Sequence, residues 1–375
     1  MNDTVDATPA PVPLTLMAVH AHPDDECFGT GGVLARYGAE GIRTVLVTAT
    51  GGEEGEIHDP DLNEEEARPR LKEIREQELR RAVAVLGITE LELLGYRDSG
   101  MAGTPANENP ANFHNAPLDE ATGRLVRLIR KYRPQVLATY NEDGGYGHPD
   151  HIKCHVVTTA AFDAAGDPAR YPDAGPAWTP LKLYATAWSR ERWRDFFAIL
   201  KERGIELPFG WNDDDARESE GAGDGDALPP AEGTAEQVAA GVVVPPEDTE
   251  AAAEGARREG RDEEWGQPEA TITTFVDTHD FWQARREALR QHRTQPVGFF
   301  LNLPDDLAEL SGSTEYFILL ASRVAPEATA RPEHDLFAGV RAGASQATAA
   351  AIAPRAADAR PHQVHALTPA PPSSA

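Results

Sequence analysis

Short apolar runs separated by helix-like stretches recur along this chain, and that alternation restricts its fold more than any single motif does. Residues 14–20 form an apolar run without the polar alternation of a half-exposed strand, the pattern expected of a strand buried on both faces of a parallel sheet. Residues 31–39 then read as a short helix stopped near Gly41, and 43–48 as a second strand. Asn63 is placed to cap a long helix. Glu64, Glu65 and Glu66 fall in its first turn, Arg80 and Arg81 fall in later turns, and Leu71, Ile74, Leu79, Val83 and Leu86 recur at helical spacing. Helices are expected at 119–132 and 150–165 around a strand at 135–140, followed by a strand at 181–188 and a helix at 191–203. Further along come a strand at 271–276, a helix at 281–291 and a strand at 316–322. This order predicts an α/β fold: a Rossmann-like, open, mostly parallel sheet with helices on both faces and its site at the strand carboxyl ends.

Charge divides the chain. Residues 212–266 hold 17 acidic and 4 basic side chains among Gly, Ala and Pro, out of a formal net charge of −27 for all 375 residues. Such a stretch cannot bury enough apolar surface to offset the entropy of ordering it. The expected organisation is a disordered N-terminus (1–13), an α/β core (14–211), an acidic disordered insertion (212–268), the remainder of the same fold (269–324), and an Ala/Pro-rich, mostly disordered tail (325–375). The acidic balance argues against nucleic-acid or anionic-membrane partners, which need clustered Lys and Arg. No apolar run approaches the roughly 20 residues of a membrane span. Two cysteines, Cys27 and Cys154, are too few for a disulfide framework, so a reduced, cytoplasmic protein is expected. Whether copies associate into a homo-oligomer is left open.

The chemistry concentrates in two clusters, each behind an apolar run. The first is Ala21-His22-Pro23-Asp24-Asp25-Glu26 and the second is His148-Pro149-Asp150-His151. His22 and Asp25 can turn toward one ion across the bend that Pro23 stiffens, and His151 would complete a His, Asp, His set. That set suits zinc, with ferrous iron an alternative, and leaves a coordination position open for water. Asp24 remains free to act as a base beside it. A single histidine after a strand is more often a satisfied polar residue than a ligand, but two His-Pro-Asp triplets at strand ends are hard to explain that way. Glu26 is expected to brace His22 or cap a helix, His20 to pack at the strand end, and His155 to pack on its helix. Cys27 and Cys154 read as small buried side chains.

Together with the loop Gly51-Gly52-Glu53-Glu54-Gly55-Glu56, the run Arg97-Asp98-Ser99-Gly100-Met101 and the stretch from Gly144 to His151, these motifs resemble the LmbE-like (PIG-L) metal-dependent de-N-acetylases. The resemblance covers roughly 14–210 and, more loosely, 270–340. It implies His22, Asp25 and His151 as metal ligands and Asp24 as general base. It also implies His148, oriented and charged by Asp150, as the group that steadies the oxyanion or protonates the departing amine, and Tyr146 as a mobile aid to polarising the carbonyl. Arg75, Asp98 and Glu56 match positions that hold sugar or inositol hydroxyls.

The implied activity is zinc-dependent removal of an acetyl group from a small amino-sugar conjugate such as N-acetylglucosaminyl-inositol. Within the family the chain is most similar to the mycothiol-pathway enzymes. Residues 97–104 resemble the deacetylase branch, whereas 165–167 and 171–175 resemble the mycothiol S-conjugate amidases, which cleave a glucosaminyl-cysteinyl amide. A non-catalytic nucleotide-binding or interaction module is the alternative from another class. Gly29-Thr30-Gly31-Gly32 lacks the G-x-G-x-x-G spacing that a dinucleotide site needs, and no P-loop sequence occurs.

Overall fold

Seven strands build the sheet of this computed structural model, which describes residues 13–205, 266–325 and 331–341. They are β1 (Thr15–His20), β2 (Arg43–Thr50), β3 (Glu90–Tyr96), β4 (Val136–Thr139), β5 (Lys182–Ala187), β6 (Thr274–Asp277) and β7 (Thr314–Ser322). Their order is β3-β2-β1-β4-β5-β7-β6. The first five pair in parallel with one another, while β7 pairs antiparallel with both β5 and β6. The expected mostly parallel α/β sheet is therefore what forms.

The side chains of β1 show why this run makes a central strand. Met17 and Val19 face one layer with Leu125, Val126, Ile129, Val157 and Ala161, whereas Leu16 and Ala18 face the other with Val33, Leu34, Leu79 and Ala82. Period-2 alternation thus points apolar groups into two separate cores. The covering helices are α1 (Asp25–Gly29), α2 (Gly31–Ala39), α3 (Glu64–Ala67), α4 (Leu71–Leu86), α5 (Leu118–Tyr132), α6 (Pro149–Ala164), α7 (Arg190–Glu202), α8 (Trp282–Leu289), α9 (Gly298–Asn302) and α10 (Asp305–Gly312).

Two local differences from the sequence expectation have physical causes. Asn63 does cap a helix, accepting from the Glu66 N–H at 3.2 Å, but that helix is only α3. Pro69 sits in the 3₁₀ turn that follows, and α4 starts afresh at Leu71, because proline brings no N–H to the helical ladder and its ring crowds the preceding turn. Strand β3 alternates Glu90 and Glu92 with leucines on a sheet edge, so it lacks the unbroken apolar run that marks β1.

The expected N-terminal extension, almost all of the acidic insertion and the distal tail lie outside the described residues. One part of the expected tail, 331–341, is built into the fold. Leu336 and Phe337 are fully buried there, and Glu333 accepts from Lys182 Nζ at 3.0 Å through both carboxylate oxygens. These two charged side chains are 0% and 1% exposed. Removing one charge strands the other in a dry interior. Glu333→Ala is expected to cost about 3–5 kcal/mol of stability. Lys182→Met combined with Glu333→Leu should cost less than that single change, as urea unfolding of the three proteins would measure.

Candidate active site

The chain turns back across the sheet between β3 and β4, so β1 and β4 lie side by side and their carboxyl ends frame the crevice where strand order reverses. His22 follows β1, while His148, Asp150 and His151 open α6 just after β4. His22 Nδ1, His151 Nε2 and Asp25 Oδ2 close to a triangle with edges of 3.2, 3.4 and 3.4 Å.

The hydrogen bonds on the far side of each ring fix which nitrogen faces the centre. His151 Nδ1 is 3.0 Å from the Gly144 carbonyl, which only accepts, so that nitrogen carries the hydrogen and Nε2 presents a lone pair. Gly144 has φ +65°, and a Cβ there would fall 2.7 Å from the His151 Cβ, so only glycine brings this carbonyl so close. His22 Nε2 faces carboxylates of Asp150 and Asp98 at 3.4 and 3.5 Å, leaving its Nδ1 as the inward lone pair. Three electron-pair donors therefore converge. A tetrahedral ion with arms of roughly 2.0–2.1 Å separates its ligands by about 3.3–3.4 Å. The donor set fits a divalent cation in both spacing and chemistry.

Without an ion between the rings, burial resists charge on His22, but Asp98, Asp150 and Asp25 outweigh it and lift its pKa well above the usual value, so a bound cation takes the place of a proton on Nδ1. Burial likewise pushes Asp25 upward, and His151 and His22 overcome this to hold it well below the carboxylate range. Asp24 behaves differently. Burial raises its carboxyl to about 6, with Arg75 opposing and Asp25 adding to the rise. Arg75 Nη2 lies 3.5 Å from Asp24 Oδ1.

His148 caps α6 through its ring: Nδ1 accepts from the Asp150 backbone N–H at 3.1 Å, so the ring hydrogen is on Nε2. Burial is the largest cause that pushes its pKa down, to about 4. The Asp150 carboxylate lies on the Ser99 N–H at 2.9 Å and against His22, not along the His148 ring as the resemblance implies. Tyr146 is 59% exposed, its ring 4.9 Å from that of His151, on a loop whose Gly144, Gly145 and Gly147 all have positive φ.

The three residues expected to hold hydroxyls part company. Arg75 is 3% exposed and donates to the Gly52 carbonyl at 2.8 Å and the Pro23 carbonyl at 2.6 Å. A Cβ on Gly52 would meet its guanidinium at 2.2 Å, so the loop after β2 is shaped around this side chain. Asp98, also 3% exposed, accepts from the Gly100 N–H at 2.8 Å and backs His22. Both are turned toward protein, Arg75 through both Nη atoms with its Nε left without a partner, and Asp98 through its carboxylate. Glu56 alone faces outward, paired with His58 at 2.7 Å on an exposed loop.

Sequence reasoning missed two participants. Tyr140 stacks on His151 with ring centres 4.1 Å apart, accepts from the Ala21 N–H at 2.9 Å and donates to Asp25 Oδ2 at 2.7 Å. Its only sequence signal is a hydroxyl-bearing aromatic at the carboxyl end of an expected strand. His292 lies 2.7 Å from Glu26 Oε1, while Glu26 Oε2 accepts from the N–H of Asp24 at the start of α1, so Glu26 bonds a helix end and not His22. His20 bonds Thr30 at 2.8 Å, His155 donates to the Tyr140 carbonyl, and Cys27 and Cys154 are buried and unbridged, all as expected packing residues.

Residues 17–162 match the family model described as PIG-L, GlcNAc-PI de-N-acetylase. A 1D-myo-inositol 2-acetamido-2-deoxy-α-D-glucopyranoside deacetylase from Frankia alni is 38% identical over 339 residues, spanning 86% of this chain and 99% of the relative. A protein of the same description from Geodermatophilus obscurus is 48% identical over 205 residues, spanning 53% and 70%. The solved N,N'-diacetylchitobiose deacetylase of Pyrococcus horikoshii superposes with a TM-score of 0.47 at 16% identity, covering 82% of this chain and 83% of that one.

Tyr140→Phe removes the hydroxyl that anchors the Asp25 carboxylate without emptying the ring stack. Partners of this kind typically contribute tenfold to a hundredfold in metal affinity. The variant is expected to fold and to lose its ion to a competing chelator at roughly ten times lower chelator concentration than the parent.

Proposed function

The chain belongs to the GlcNAc-PI de-N-acetylase family, and on that premise we propose that it hydrolyses the acetamide of an N-acetylglucosaminyl conjugate, with N-acetylglucosaminyl-inositol as substrate. The observation that carries this reading is the triangle of His22 Nδ1, His151 Nε2 and Asp25 Oδ2, lone pairs inward, with the carboxylate of Asp24 next in the chain. Two imidazoles and one carboxylate suit zinc best, with ferrous iron as the alternative. A divalent ion held there supplies Lewis-acid polarisation of the acetyl carbonyl and makes water more acidic.

Asp24 accepts the proton of the attacking water, and a carboxyl raised to about 6 is a stronger base for that task than an ordinary aspartate. The water oxygen bonds to the acetyl carbon, the carbon–nitrogen bond breaks, and the nitrogen leaves with the proton that Asp24 took from the water, giving a free amino sugar and acetic acid, which ionises to acetate. His148, its Nδ1 occupied by the Asp150 N–H, offers Nε2–H to the developing oxyanion. This is one of the two roles that the resemblance implies for it, the other being protonation of the departing amine. Tyr146 is free to swing over the substrate from its glycine-flanked loop. Arg75 and Asp98 act from behind, on Asp24 and His22, and Glu56 is the member of the expected set that remains open to a sugar hydroxyl.

A small hydroxyl-rich conjugate suits a chain whose net charge of −27 disfavours nucleic acid. Among the described residues no helix is long and apolar enough to cross a membrane. Two buried, unbridged cysteines support a reducing, cytoplasmic setting.

Acetate release from N-acetylglucosaminyl-inositol should exceed cleavage of a mycothiol S-conjugate at equal concentration; the reverse ranking would make the chain an amidase. Asp24→Ala is expected to retain a full complement of zinc and lose about 10²–10⁴-fold in kcat, the usual contribution of a positioned base. His151→Ala should instead lose the zinc. Equal zinc loss in both would mean that Asp24 is a ligand.

A further inference from the structure

Asp24 has a backbone that an aspartate rarely adopts, with φ +119° and ψ −30°. It occupies the N-cap position of α1, where an aspartate ordinarily turns its carboxylate onto the first free N–H groups of the helix. Here the side chain makes no capping bond and is directed to the Arg75 side instead. A strained residue of this kind persists only where its surroundings hold it.

What holds it is a pair of side chains beneath the site. The Asp24 N–H donates to Glu26 Oε2 at 3.0 Å, and the other carboxylate oxygen of Glu26 meets His292 Nε2 at 2.7 Å and the Cys27 thiol at 3.2 Å. Glu26 and His292 are both fully buried. Glu26, Cys27 and His292 also form a candidate metal cluster by proximity. The 2.7 Å separation rules against that use, because two ligands of one tetrahedral ion stand about 3.3 Å apart.

We propose that His292 is a positioning residue for the reaction: by anchoring Glu26 it holds the Asp24 backbone in its left-handed turn and keeps the base's carboxylate off the end of α1. His292 lies just past α8, outside the residues 17–162 matched by the family model, and it is tied to the same region by its neighbours. Thr294 donates to Glu78 through both N–H and hydroxyl, at 3.1 and 2.6 Å, and Gln295 reaches the Glu56 carbonyl at 3.4 Å. The segment beyond the acidic stretch thereby completes the geometry of a base encoded near the start of the chain.

The inference rests on the deacetylase reading for its kinetic arm and on structure alone for the other. In zinc-loaded full-length protein, His292→Ala is expected to lower kcat about tenfold to a hundredfold with KM within about twofold, as a displaced reacting group does. Its zinc content should stay at one per chain. His292→Gln keeps an N–H for Glu26 and should restore kcat to within about threefold. A crystal structure of His292→Ala should show Asp24 relaxed to negative φ with its carboxylate capping α1. If His292→Ala does not fold, Glu26→Gln is predicted to lose kcat in the same range, since its amide cannot accept from both Asp24 and His292. Unchanged kcat with Asp24 still at positive φ overturns the proposal, as does activity lost only in step with zinc. A parent protein that releases no acetate would sink the substrate reading, while the backbone at Asp24 would still decide the positioning role.

Discussion

Two imidazole lone pairs and one carboxylate aimed at the same point repel one another, and the rest of the site exists to hold them there. A divalent ion with open tetrahedral geometry answers that arrangement in both charge and spacing. The constraint begins in the sheet. Parallel pairing of Leu16 with Val136, Met17 with Leu137 and Ala18 with Ala138 brings the ends of β1 and β4 together. Residues distant in sequence then meet within hydrogen-bond range: His22 and His151 across the crevice, and Tyr140 across to Ala21 and Asp25.

Around this centre, buried acids are sorted by what they face. Asp98 and Asp150 stand behind His22 and stabilise its outward N–H, so its inner nitrogen stays a donor of electrons. Glu26 faces down to His292 and up to the Asp24 N–H. Asp24, held by Arg75 on one side and lacking an imidazole partner of its own, is the carboxyl whose pKa moves upward. One short stretch of three consecutive acids thus meets three different sets of partners, set by direction and not by residue type.

The strand-helix order, the sheet class and the clusters that converge between β1 and β4 were legible because each leaves a local mark: an apolar run, a helical period, a His-Pro-Asp triplet. Side-chain direction leaves none. Arg75 reads the same in sequence whether it points to a sugar or to the Gly52 carbonyl, and only packing under the loop decides. Asp150 likewise follows His148 in the chain, yet α6 turns its carboxylate to Ser99 and His22. His292 was invisible because its partner Glu26 lies 266 residues away along the chain, and neither residue stands in a pattern that announces the pairing. The edge strand β3 escaped for a related reason: it is half exposed, so its leucines alternate with glutamates.

The direct test of the account is the coordination sphere of the ion in full-length protein, by zinc-edge anomalous diffraction with X-ray absorption on the same preparation. The account predicts one ion per chain bound by His22 Nδ1, His151 Nε2 and an Asp25 carboxylate oxygen at about 2.0–2.2 Å, with no sulfur ligand. An ion seated instead among Glu26, Cys27 and His292, or one that recruits His148 in place of Asp25, would contradict it.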